Sequence, residues 1–108
     1  VNMKYELLSE AGAQILGLKG RLDAISGPEL EEQLDLQAVQ TKLIIDFTDL
    51  AYISSAGLRV ILKIAKTLQT QGKSLVLCGM QGFIREIFDI SGFSGILNIV
   101  ASCDDALS

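Results

Sequence analysis

The sequence predicts one α/β domain: a mixed β-sheet opened by an N-terminal hairpin, continued by parallel strands and covered by helices. Three observations carry that expectation. Leu43-Ile44-Ile45-Asp46-Phe47 and Ser74-Leu75-Val76-Leu77-Cys78 are short, nearly uninterrupted apolar runs of the kind that form strands buried on both faces. Segments with apolar residues at helical spacing separate the later strands, giving the order β-β-α-β-α-β-α-β with crossover connections. The chain has 108 residues, enough for a single domain over residues 1–108 at roughly 100 to 150 residues per domain.

Taken in order, Lys4 to Leu8 reads as the first strand and Glu10-Ala11-Gly12-Ala13 as the turn. Gln14 to Leu22 is the second strand, with Leu16, Leu18 and Leu22 on one face. Gly17 and Gly20 interrupt it, which predicts a bulge or a close backbone approach before Arg21-Leu22-Asp23. Ser26-Gly27-Pro28-Glu29 has capping-box spacing, with proline in the first turn and acidic residues at the positive end of the helix dipole. That helix is expected to reach about Val39-Gln40, with Leu30, Leu34 and Ala38 on its apolar stripe.

The Leu43 to Phe47 strand leads to a turn containing Ser54 and Ser55, and a helix then runs to about Gln71, closed by Gly72. Leu58, Ile61, Leu62, Ala65 and Leu68 cluster on one side of that helix. Arg59, Lys63 and Lys66 fall within a wedge of about 60° on the other. Any single lysine there is ordinary solubilising surface; the three together, beside the serine turn of an acidic protein, form a candidate docking strip. Lys73 to Met80 is the next strand, and Gly82 to Ile90 a short helix with Phe83, Ile84, Ile87 and Phe88 inward, ended by Gly92. Ile96 to Val100 is the final strand, and Ser102-Cys103-Asp104-Asp105 begins at most a turn or two of helix.

Apolar residues make up 49% of the chain and charged residues 20%, so a sizeable core is available. The formal net charge of -4 is the wrong sign for attracting phosphate backbones, and direct nucleic-acid binding is not expected. The apolar runs are far shorter than the roughly 20 residues that span a bilayer, and the N-terminus lacks a basic segment followed by an apolar core. The expected location is therefore cytoplasmic, without membrane insertion. Cys78 and Cys103 make neither a disulfide framework nor a metal cluster. With no histidine, the chain cannot supply a Ser-His-Asp triad, a Cys-His pair or a His-Glu zinc motif, and neither metal nor cofactor is expected. Gln71-Gly72-Lys73-Ser74 ends like a phosphate-binding loop, but Thr67 stands where the first glycine is needed and a helix leads into a strand.

The stretch with the most chemistry is Asp49-Leu50-Ala51-Tyr52-Ile53-Ser54-Ser55-Ala56-Gly57-Leu58-Arg59. Read locally, it is a capped helix start: Ser54 or Ser55 accepts a hydrogen bond from the first helical amides, and Gly57 lets the backbone approach a neighbour closely. Tyr-Ile-Ser-Ser-Ala-Gly-Leu-Arg after an apolar strand also resembles the phosphorylation-site signature of the STAS family, the anti-sigma-factor antagonists. The resemblance extends through Gly20-Arg21-Leu22-Asp23, the Leu43 to Phe47 strand, and the Phe83 to Gly92 helix followed by Phe93. It implies the STAS fold, and it implies that the serine two residues before Gly-Leu, Ser55, accepts phosphate, with Ser54 the less favoured site. Ser54 stands where many members carry an acidic residue, which removes one charge from the recognition surface.

What the resemblance implies is a switch without enzymatic activity. The unphosphorylated protein binds an anti-sigma factor that is also a serine kinase, phosphorylation ends the binding, and a serine phosphatase restores it. The expected partner surface comprises Asp23, Ser54, Ser55, Ala56, Gly57, Arg59, Lys63 and Lys66. Asp46 is implied to lie near the same turn, and together with Asp23 and Asp49 it could be read as an acid cluster; loop capping and solvation are the commoner roles for such residues. The alternative is a STAS-like cytoplasmic subunit of a membrane transporter or lipid-transport complex, docking constitutively through the same surface. A small nucleotide hydrolase is disfavoured by the absent phosphate loop and histidine.

Overall fold

A computed structural model of the protein describes residues 3–10, 13–35, 37 and 39–107. Strands β1 (Met3–Glu10) and β2 (Ala13–Leu22) precede helix α1 (Ser26–Gln33), β3 (Lys42–Ile53), α2 (Ser55–Thr70), β4 (Ser74–Cys78) and α3 (Gly82–Ile90). A single 3-10 turn at Phe93–Gly95, the short β5 (Asn98–Val100) and α4 (Cys103–Leu107) complete the described chain. The five strands pair in sequence order, with β1 antiparallel to β2 and the rest parallel. This is the mixed sheet the sequence predicts. The expected Glu10–Ala13 turn includes Ala11 and Gly12, which lie outside the described residues, as does Ala38.

Because each crossover advances the sheet in one direction, right-handed connections place α1, α2 and α3 on a common face. The larger core forms there: Leu16, Leu22, Leu43, Ile45 and Phe47 of the sheet pack with Leu30, Ile61, Leu68, Ile84 and Phe88 of the three helices. The opposite face carries a smaller cluster in which Ala106 of α4 covers Ala13, Ile44, Val76 and Cys78. Lys42 ties α4 down by donating from Nζ to the Ala106 carbonyl at 2.9 Å. The interrupted β2 behaves as its glycines predict, with register shifts against β3 between Gly17 and Lys19 and between Gly20 and Arg21. Gly72, at φ +72°, ends α2 as expected, the Lys73 amide reaching back to the Leu68 carbonyl at 2.8 Å.

Several elements differ from the sequence-based expectation. Helix α1 stops at Gln33 instead of Val39-Gln40; Leu34 is extended at ψ 115°, and Asp35 Oδ1 accepts the Gln37 amide at 3.0 Å, a local turn that competes with continued helix. The Ser26–Glu29 capping box does not form. Ser26 is buried and turns its hydroxyl back to donate to the Arg21 carbonyl at 2.7 Å, while Asp23 Oδ1 accepts the amides of Ile25 and Ser26. Strand β3 continues past Phe47 to Ile53, so the serine turn follows it directly. Helix α2 buries Val60 and Ile64 where Leu62 and Ala65 were expected, since its inward face is rotated toward α1. Phe83 is 51% exposed, leaving Ile84 and Phe88 as the fully inward residues of α3. Strand β5 begins at Asn98, because Ile96 and Leu97 are held in the preceding turn by the Phe93 carbonyl.

Candidate functional site at the serine turn

The turn from β3 into α2 is fixed from three directions. Ser54 keeps extended dihedrals (φ -95°, ψ 173°), its hydroxyl accepts the Gly57 amide at 3.2 Å, and its carbonyl accepts the Leu58 amide at 2.9 Å. Ser54 is thus the N-cap of α2. Its own amide donates to the Leu22 carbonyl at 3.0 Å, which ties the turn to the end of β2. Gly57 makes this approach possible: a Cβ there would lie 2.5 Å from the Leu22 carbonyl oxygen and 2.9 Å from Ile53 Cγ1.

With Ser54 committed to the cap, Ser55 begins the helix and is exposed. Among the described residues nothing hydrogen-bonds its hydroxyl. Among the described residues no base is hydrogen-bonded to it, so what the turn offers chemically is an open primary alcohol at the positive end of a helix dipole. Ala56 is half-buried behind it and Gly57 fully buried.

The Leu22 carbonyl that anchors Ser54 immediately precedes Asp23, so the β2–α1 loop lies beside the serine turn. Asp23 is itself a structural cap for that loop, and the amides of Ser26 and then Ile25 hold its carboxyl below the usual range, with the Ser26 hydroxyl and nearby Arg21 adding to the effect. Arg21 approaches it at 3.7 Å and stacks its guanidinium 4.2 Å from the centre of the Tyr52 ring. Asp46 is occupied differently, accepting the Thr48 amide at 3.0 Å and the Thr48 hydroxyl at 2.6 Å beside Gly79. Among the described residues no group of three or more acidic or cysteine side chains is placed to hold a metal ion.

The basic residues separate along α2. Arg59 lies one turn from Ser55 on the same exposed side and has no hydrogen-bond or ion-pair partner among the described residues. Lys63 is bound to Glu31 of α1 at 2.8 Å, which neutralises the middle of the strip. Lys66 is exposed but, at 1.5 Å per residue, about 16 Å along the helix from Ser55. The turn's neighbourhood also includes residues the sequence did not single out. Ile25, 65% exposed in the Asp23 loop, had no local signal because it is a lone large apolar residue in a short connection with no helical or strand period around it. Glu31 is one of several acidic residues on α1, and only the packing of α1 against α2 selects it.

Comparison with known proteins bears on the family and the fold. The sequence matches the STAS domain family over residues 5–106. BtrV of Bordetella bronchiseptica is 37% identical over 106 residues, covering 96% of this chain and 91% of its own. The anti-sigma-B factor antagonist of Listeria monocytogenes is 33% identical over 82 residues, covering 74% of this chain and 72% of its own. In three dimensions the chain is similar to an anti-sigma factor antagonist from Mycobacterium paratuberculosis, with a TM-score of 0.85 at 19% identity, covering 97% of this chain and 91% of the other. Unphosphorylated SpoIIAA superposes with a TM-score of 0.78 at 18% identity (95% and 93% covered). A sulfate transporter family protein from Wolinella succinogenes superposes at 0.80 and 18% (93% and 85% covered).

Proposed function

The chain belongs to the STAS domain family, and from that premise we propose that it is an anti-sigma-factor antagonist switched by phosphorylation of Ser55. The unmodified protein binds an anti-sigma factor with serine-kinase activity in the cytoplasm, through Asp23, the Ser54–Gly57 turn and Arg59. Further along the strip, Lys66 contributes long-range charge, while Lys63, the third cation of the expected docking surface, is held by Glu31. The kinase transfers the γ-phosphoryl group of a nucleoside triphosphate to Ser55 Oγ, releasing the nucleoside diphosphate and the hydroxyl proton, and a separate serine phosphatase hydrolyses the ester to restore the hydroxyl and release inorganic phosphate. No catalytic step is assigned to this chain.

The observation that carries this reading is the division between the two serines: Ser54 is held in the cap and half-buried, while Ser55 is exposed with its hydroxyl open. The fold alone favours neither the antagonist nor the transporter-subunit reading, since solved structures of both kinds share it. The antagonist reading is favoured because a relative above 30% identity that covers most of the chain is named as an anti-sigma-B factor antagonist.

The test is a pull-down from the native cytoplasm before and after phosphatase treatment, followed by mapping of the modified residue. Recovery of a kinase-type regulator by the dephosphorylated protein alone, with phosphate on Ser55, is the expected result. Recovery of a membrane ATPase irrespective of treatment, or phosphate confined to Ser54, overturns the reading.

A further inference from the structure

Once phosphorylated, Ser55 acquires a neighbour that is already in place. Arg59 is four residues further along the same helix, exposed and without a partner among the described residues, whereas the next cation, Lys63, is engaged by Glu31 at 2.8 Å. Residues four apart on a helix face each other, and helical side chains lean toward the N-terminus, which aims Arg59 back over the turn that contains Ser55. An anion N-terminal to a cation at this spacing is the favourable order, and a guanidinium can meet two phosphate oxygens with parallel N–H donors.

We propose that phosphoserine at position 55 is bridged by Arg59 within α2, so that one modification both adds negative charge to the docking surface and withdraws the cation one turn along the helix. The proposal rests on the reading of Ser55 as the phosphoacceptor. It gives the switch two components. A partner that used Arg59 against an acidic group loses that contact and meets a phosphate in its place. Lys66, about 16 Å away, takes no part in the bridge.

The pair can be tested without the kinase, in full-length protein carrying genetically encoded phosphoserine at position 55. The second ionisation of the phosphate, near pH 6 for free phosphoserine, is followed by phosphorus NMR at low salt in the parent, Arg59→Gln and Lys66→Gln proteins. The bridge predicts that Arg59→Gln moves this ionisation upward by about 0.3 pH unit, roughly a twofold change in the ionisation constant, the size expected of one helical ion pair. Lys66→Gln leaves it near the parent position. Coincident curves for the parent and Arg59→Gln, or equal displacement by Lys66→Gln, overturn the proposal. Because the phosphate is installed independently of any kinase, its titration reports on the bridge alone, and site mapping with the kinase reports on the acceptor assignment.

Discussion

Replacing each serine of the turn by alanine separates their roles quantitatively. Ser54→Ala removes the hydroxyl that accepts the Gly57 amide at 3.2 Å and leaves that buried amide without its cap. Loss of a serine N-cap costs about 0.5 to 2 kcal/mol, and a bond of this length in a half-buried turn belongs near the middle, at about 1 kcal/mol. For a domain of this size, an unfolding entropy of about 2.1 cal/mol/K per residue converts that loss to a fall in Tm of about 4 °C. Ser55→Ala removes no capping bond from an exposed first-turn position and installs a better helix former, so its Tm is expected within about 1 °C of the parent. Ser54→Asp keeps a capping oxygen and adds a charge favourable to the dipole, and is expected to match or exceed the parent. Calorimetric melts of the three variants under one buffer condition make the comparison. If Ser55→Ala fell as far as Ser54→Ala, the assignment of cap and open hydroxyl would be wrong.

Three further outcomes are expected. Gly57→Ala drives a Cβ to within 2.5 Å of the Leu22 carbonyl oxygen and 2.9 Å of Ile53 Cγ1, so chemical denaturation is expected to show a loss of about 2 to 3 kcal/mol; a loss below about 0.5 kcal/mol would mean that β2 and α2 are not pressed together here. Ser55→Asp is expected to melt like the parent yet bind the kinase-type partner at least about tenfold more weakly than Ser55→Ala, each 1.4 kcal/mol of interface cost being a factor of ten; equal affinities by titration calorimetry would remove the charge mechanism. Asp23 has a carboxyl pKa lowered below 3.8 in the folded protein, so its stabilising contribution is fully present above that value and is lost as pH falls through the folded pKa. Asp23→Asn is therefore expected to flatten the loss of stability below about pH 4, and an unchanged acid limb in pH-dependent melts would contradict this.

The central strands and the serine turn were legible because their signals are local and strong. Leu43 to Ile45 and Leu75 to Cys78 can hardly be anything but buried strands, and a glycine beyond Gln71 stops a helix whatever lies around it. What the sequence did not show depends on contacts between segments. Val60 is buried in α2 because Gly27 has no side chain: a Cβ there would sit 2.9 Å from Val60 Cγ2. That close approach of α1 rotates the inward face of α2 away from Leu62, and helical spacing alone carries no record of it. The same packing brings Glu31 to Lys63 and divides a basic strip that is continuous on a helical projection. Ser26 and Asp23 exchange capping roles for a related reason. The Arg21 carbonyl at the end of β2 captures the Ser26 hydroxyl, and only the path of the chain between β2 and α1 makes that carbonyl available.

The arrangement also determines where a phosphate on Ser55 can act. Ser54 retains its hydrogen bonds to Gly57 and Leu22 whatever is attached to its neighbour, and the exposed Ser55 side chain gives up no internal contact when modified. About 1.5 to 2 negative charges placed at a helix N-terminus are favoured by the dipole, so the modification has no route to unfolding the turn. A partner that covers the turn is in the opposite position, since it must desolvate that charge without a matching cation if Arg59 is already engaged. In the proposed switch the energy is therefore concentrated in the complex, and the modified protein remains folded. A mechanism that required α2 to melt would instead predict a lower Tm for protein phosphorylated at Ser55, which the same calorimetric melts would detect.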